Sequence, residues 1–105
     1  MAEGPPEVVL VGHGETEWSR TGRHTGRTNV ALTEAGRREA GMLGARLAGW
    51  RFARVLSSPL HRALETCRLA GLGNPELREE LQEWDYGDYE GRTTPEIWRE
   101  RRDGP

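Results

Sequence analysis

Val8-Val9-Leu10-Val11, running directly into Gly12-His13-Gly14, is the stretch that decides the fold. Four consecutive apolar residues, mostly β-branched, suit a strand buried on both faces, as in a parallel sheet, rather than one with a wet side. The glycines stop the run and leave an imidazole at its carboxyl end. That is where open α/β sheets bind their ligands. Flanking glycines also let backbone N–H groups come close to an anion.

Outward from this stretch, Met1 to Pro6 reads as a flexible leader. The chain from Gly12 to Leu32 is polar, carries no sustained period and reads as one long loop, a type usually kept for function or disorder. Thr33 is the expected N-cap of a helix from Glu34 to about Leu47, with Gly36, Ala40, Leu43 and Leu47 on one face. Gly41 and Gly44 each cost about 1 kcal/mol against Ala, which close packing on a sheet would explain. Arg54 to Ser57 is a second strand. Ser58 as N-cap and Pro59 in the first turn predict a helix from Leu60 to about Leu72. Glu76 to Leu81 is read as a third strand. A last helix begins near Thr93 or Thr94, with Pro95 in its first turn and a Thr93–Glu96 capping box. Strand alternating with helix predicts an α/β layer with right-handed crossovers and a short sheet whose edges are exposed.

The composition bounds the function. At 105 residues, 34% of them hydrophobic, the chain is one small domain or part of a larger one. Fifteen basic against seventeen acidic side chains give a net charge of -2, so neither nucleic acid nor an anionic membrane is expected as a partner. Every basic residue is Arg. Coding bias explains that as well as a preference for forked anion contacts does. The lone Cys67 cannot form an internal disulfide, and it falls on the apolar face of its helix as a small core residue. Trp18, Trp50, Trp84 and Trp98 read as packing anchors. The N-terminus lacks a signal-peptide pattern, and Val8 to Val11 is far too short to span a bilayer, so a soluble cytoplasmic protein is expected.

Two further residues carry candidate chemistry. Arg62 stands near the start of a helix that follows a strand, where the helix N-terminus already favours an anion. Glu83 lies in Glu83-Trp84-Asp85-Tyr86-Gly87, where aromatic neighbours would desolvate a carboxyl and raise its pKa toward that of a general acid. Taken singly, His13 also suits a loop cap, Arg62 a solvated surface arginine and Glu83 an ordinary loop carboxylate.

Together the motifs resemble a known family. Val11-Gly12-His13-Gly14-Glu15-Thr16-Glu17-Trp18, then Gly22-Arg23 and Gly26, Leu32-Thr33-Glu34-Ala35-Gly36, Ser57-Ser58-Pro59-Leu60-His61-Arg62-Ala63, and Glu83 to Gly87 with Glu90-Gly91 are similar to the histidine phosphatase, or phosphoglycerate mutase-like, superfamily. The similarity runs from about Val8 to Trp98. It implies a three-layer α/β arrangement, here shortened to the N-terminal portion, with a short, mainly parallel sheet flanked by helices.

It also implies roles. His13 matches the nucleophile that becomes a phosphohistidine, Arg62 the clamp on the phosphate oxygens, and Glu83 the proton donor to the leaving oxygen. Gly14, Ser19, Arg23, Thr25 and Gly26 fall where the family's loop meets phosphate. An in-line nucleophile, positive charge on the equatorial oxygens and a proton for the leaving group are what phosphoryl transfer requires. The implied partner is a phosphorylated small molecule. Neither metal nor organic cofactor is called for, and the exposed sheet edge suggests a homodimer.

Two departures qualify the resemblance. The family reads Arg-His-Gly where this chain has Gly12-His13-Gly14, a change expected to cost on the order of a thousandfold in rate, with Arg23 a partial substitute. The family's second catalytic histidine lies in a half that this chain does not match, and His24 and His61 read as loop or surface residues. Hydrolysis is expected over mutase action, because a mutase needs a closed site that excludes water. The rival reading is a non-catalytic phosphate-binding or interaction module, a degenerate member of the family.

Overall fold

The computed structural model describes residues 7–103, with side chains described through residue 100. The leader expected at Met1–Pro6 lies outside them. Six elements follow one another: α1 (Glu17–Arg20), α2 (Glu34–Leu47), β1 (Leu56–Ser57), α3 (His61–Leu69), β2 (Glu76–Leu77) and α4 (Thr94–Asp103).

Thr33 begins α2 as its sequence predicts. Its backbone is extended and its hydroxyl accepts from the Gly36 N–H at 3.0 Å, satisfying one orphan donor of the first turn. Gly44 is small for a physical reason, although the partner is a helix and not a sheet: a Cβ there would stand 2.8 Å from the Ala70 carbonyl oxygen at the end of α3. Gly41 meets nothing within 4 Å, so the packing expected of it is not found.

Ser58 is not the cap of α3. The helix starts at His61, with Leu60 at the N-cap and no side-chain cap bond. Asn29 takes over that role from the distant loop, its Oδ1 accepting from the His61 N–H at 2.9 Å. Buried Leu32, Ala40, Leu60, Cys67 and Ala70 form a small core centred where α2 packs on α3. Cys67 is thus the core residue its helical position implies.

Strand β1 pairs in parallel with β2, Leu56 opposite Glu76 and Ser57 opposite Leu77, across the α3 crossover. The third strand is shorter than expected, because a 3-10 turn at Glu79–Leu81 replaces its second half. The strand expected at Val8–Val11 does not form. Its exposure nevertheless alternates, with Val8 83%, Val9 39%, Leu10 90% and Val11 43% exposed. The segment is apolar on both sides, yet no ladder bond ties it to β1 among the described residues. A strand of that kind needs cover on both faces, and the described residues supply only one helical layer.

The long loop contains α1, capped by reciprocal bonds between Thr16 and Ser19. At α4, Thr93 Oγ1 accepts from the Glu96 N–H at 3.3 Å. The Glu96 carboxylate turns instead to Arg92 and Arg23. Trp50, Trp84 and Trp98 are exposed rather than anchoring a core, while Trp18 packs against Gly91.

Candidate functional site

The Gly12-His13-Gly14 turn is fixed from two sides. The Gly14 N–H donates to Thr66 Oγ1 at 3.2 Å, and the Thr66 hydroxyl donates to the Arg62 carbonyl at 2.7 Å, so the turn is tied to α3 one helical turn beyond Arg62. The His13 ring lies with Nδ1 2.7 Å from the Gly14 carbonyl oxygen. A carbonyl only accepts, so Nδ1 carries a proton and, in the neutral ring, Nε2 has the lone pair. No protein group among the described residues bonds Nε2.

Arg62 is buried, only 2% exposed, and donates to the Thr28 carbonyl at 2.8 Å and to the Gly26 carbonyl. Burial pushes its pKa below the ordinary arginine value, opposed by the negative charges of Glu83 and Glu90. It stays cationic at neutral pH, because a guanidinium does not deprotonate there. Two of its five N–H groups hold the 26–28 turn.

That turn is held in place by Glu90. The carboxylate accepts from the N–H groups of Gly26 and Thr28, both at 3.1 Å, from Thr28 Oγ1 at 2.7 Å and from the Tyr86 N–H at 2.9 Å. Burial alone would raise its pKa, but these donors outweigh it and bring it down to about 2. A Cβ on Gly26 would stand 1.9 Å from the Trp84 carbonyl oxygen, so the turn closes against the Trp84–Tyr86 segment only because residue 26 lacks a side chain.

His13, Arg62 and Glu83 line one cavity of about 430 Å³, with Gly12 at its rim and apolar walls from Val11, Leu43, Val55 and Leu60. An imidazole, a guanidinium and a carboxyl thus line one space. The aromatic shield expected around Glu83 is absent. Glu83 and Trp84 are both exposed, and one Glu83 carboxylate oxygen accepts the Trp84 N–H at 2.9 Å.

The remaining sequence candidates do not line this cavity. Gly14 borders the hollow on the other side of the 9–13 segment. The Ser19 hydroxyl is spent on capping α1, bonded to the N–H and carbonyl of Thr16. Arg23 turns away to the Gly91 carbonyl at 2.6 Å and toward Glu96, so it does not replace the missing arginine. Thr25 Oγ1 donates to the Arg23 carbonyl at 3.1 Å, and the Gly26 N–H is taken by Glu90. His24 packs edge-on against Tyr86 and is bonded to the Arg92 carbonyl, the loop histidine its sequence suggested.

Sequence reasoning missed Glu90 and Thr28 as organisers of the site. Both were visible as residue types, but only the fold shows that the Thr28 turn meets the Tyr86–Glu90 segment. Among the described residues no cluster of three metal-ligating side chains occurs, and no helix is long and apolar enough to cross a membrane.

An α/β unit here lines one cavity with an imidazole, a buried guanidinium and a carboxyl, the kinds of group that phosphoryl transfer uses. Comparison with known proteins assigns the family. The profile of the histidine phosphatase superfamily (branch 1) matches residues 8–105, and the chain belongs to that superfamily. It is 49% identical over 92 residues to an acid phosphatase of Mycobacterium tuberculosis, covering 86% of this chain and 45% of that protein. It is 40% identical over 95 residues to a phosphoglycerate mutase of Schizosaccharomyces pombe, covering 83% and 45%. The solved structure of an open reading frame from Mycobacterium tuberculosis superposes with a TM-score of 0.78 at 47% identity, covering 89% of this chain and 49% of that one. The chain spans about half the length of the relatives it matches.

Proposed function

We propose that this chain carries a phosphomonoester-cleaving site working through a phosphohistidine. Nε2 of His13 attacks phosphorus in line, and the N–P bond forms as the bond to the ester oxygen breaks. Glu83 gives its proton to that leaving oxygen. Water then attacks the phosphohistidine, Glu83 takes the proton back, and inorganic phosphate leaves. Arg62 neutralises charge on the equatorial oxygens throughout. The observation that carries the reading is the Nδ1 bond of His13 to the Gly14 carbonyl, which in the neutral ring puts the lone pair on Nε2, on a residue that shares a cavity with Arg62 and Glu83.

Hydrolysis is favoured over mutase action because His13 and Glu83 are both exposed, so water reaches the intermediate. The substrate is a phosphorylated small molecule. Residues 7–105 are taken as the N-terminal portion of a histidine phosphatase domain set in the cytoplasm, with a homodimer formed through the sheet edge. Incubation with a labelled phosphate ester yields acid-labile label on His13; a chain that takes up none is no phosphohistidine enzyme.

A second reading has its own observation. Gly12 stands where the family carries an arginine, and Arg23 does not fill the gap. On that reading the chain binds phosphate without turning it over.

A further inference from the structure

Glu90 plays no part in the chemical steps above, yet it makes four hydrogen bonds in the site. Three of them reach residues 26 and 28. The carbonyls of the same two residues accept from Arg62. The turn is therefore gripped from both ends of its peptide dipoles: an anion holds the N–H groups and a cation holds the C=O groups. The fourth bond, from the Tyr86 N–H, anchors the carboxylate to the segment that Gly26 presses against.

We infer that Glu90 is a positioning residue, which fixes the Gly26–Thr28 turn so that its two carbonyls orient the Arg62 guanidinium and leave its other N–H groups for an anion in the cavity. The inference rests on the reading of Arg62 as the phosphate clamp. It also explains why the amides at positions 26 and 28 are not themselves phosphate ligands in this chain. Both are consumed by the carboxylate, so the binding of the anion falls to Arg62.

Glu90→Ala removes all four bonds. Glu90→Gln keeps an oxygen for the three on residues 26 and 28 and sets an NH₂ against the Tyr86 N–H. Arg62 is followed by its rate of modification with phenylglyoxal, read by mass spectrometry, and the site by titration with inorganic phosphate, read from the His13 ring signals. Arg62 resists modification in the native chain. In Glu90→Ala it reacts faster and phosphate affinity falls, each by about tenfold or more, the scale of lost charged hydrogen bonds. Glu90→Gln restores most of the protection. Leu32→Ala, a core truncation away from the turn, lowers the melting temperature while Arg62 stays protected.

The inference fails if Glu90→Ala leaves Arg62 as protected as in the native chain, or if Leu32→Ala exposes it equally at a matched loss of melting temperature. Should Glu90→Ala not fold, Glu90→Asp, whose shorter arm draws the carboxylate back from residues 26 and 28, and Thr28→Ala decide: faster Arg62 modification in either upholds the inference, and native-like reactivity in both overturns it. A native chain whose Arg62 protection depends on Glu90 but which binds no phosphate upholds the positioning and refutes the phosphoryl-transfer reading.

Discussion

Gly14 and Thr66, 52 residues apart, are joined by a hydrogen bond from the glycine N–H to the threonine hydroxyl, and this contact couples the segment that carries His13 to the helix that carries Arg62. Because Thr66 passes the interaction on to the Arg62 carbonyl, imidazole and guanidinium are referenced to one another through a single buried side chain.

Thr66→Val keeps the shape and removes the acceptor. The Gly14 N–H is then left without its partner, a loss of about 1–3 kcal/mol that a urea titration will show. Labelling of His13 falls with it. Unchanged stability and unchanged labelling would mean that the bond does not hold the turn.

Gly12→Arg tests whether the departure from the family pattern limits activity. A Cβ at residue 12 meets nothing within 4 Å, so the substitution is accommodated without strain. If the chain is an impaired enzyme, phosphate release from p-nitrophenyl phosphate rises by on the order of a thousandfold, the value of a phosphate-clamping arginine. No release before or after the change favours the binding module.

Acid stability should report Glu90. Its native pKa of about 2 lies below the ordinary value of 4.5, so its contribution is fully present above about pH 4.5 and is lost as pH falls toward 2. The melting temperature of the native chain drops across that window by more than that of Glu90→Gln, whose side chain does not titrate. Parallel curves for the two proteins would remove Glu90 from the account.

Leu10→Lys addresses the uncovered segment. Leu10 is 90% exposed, so its replacement changes stability by no more than about 0.5 kcal/mol. If this segment mediates self-association, sedimentation shows less dimer for the variant than for the native chain. An equal dimer fraction places any interface elsewhere.

The helices were legible because their signals are local. Thr33 caps α2, Pro95 sits in the first turn of α4, and the apolar spacing of α3 is carried by Leu60, Leu64 and Cys67 within one segment. The strand at Val8–Val11 was misread because its sequence reports the burial it is suited to and not what surrounds it; among the described residues nothing covers its outer face. His13, Arg62 and Glu83 were legible as candidates through motif order, while Glu90, which holds the turn beside Arg62, was not. A carboxylate's role depends on which N–H groups converge on it, and those come from positions 26, 28 and 86. Arg23 illustrates the reverse error, since its place in the loop suggested phosphate but its direction is set by Gly91 and Glu96.

The alternating exposure of Val8 to Val11 has a bearing on the chain's lifetime. An uncharged, exposed apolar tetrapeptide outside any strand ladder among the described residues is a form that holdase chaperones and the active-site clefts of proteases accept. Shielding those four residues would therefore act on how often quality control captures the chain and not on the chemistry of the cavity.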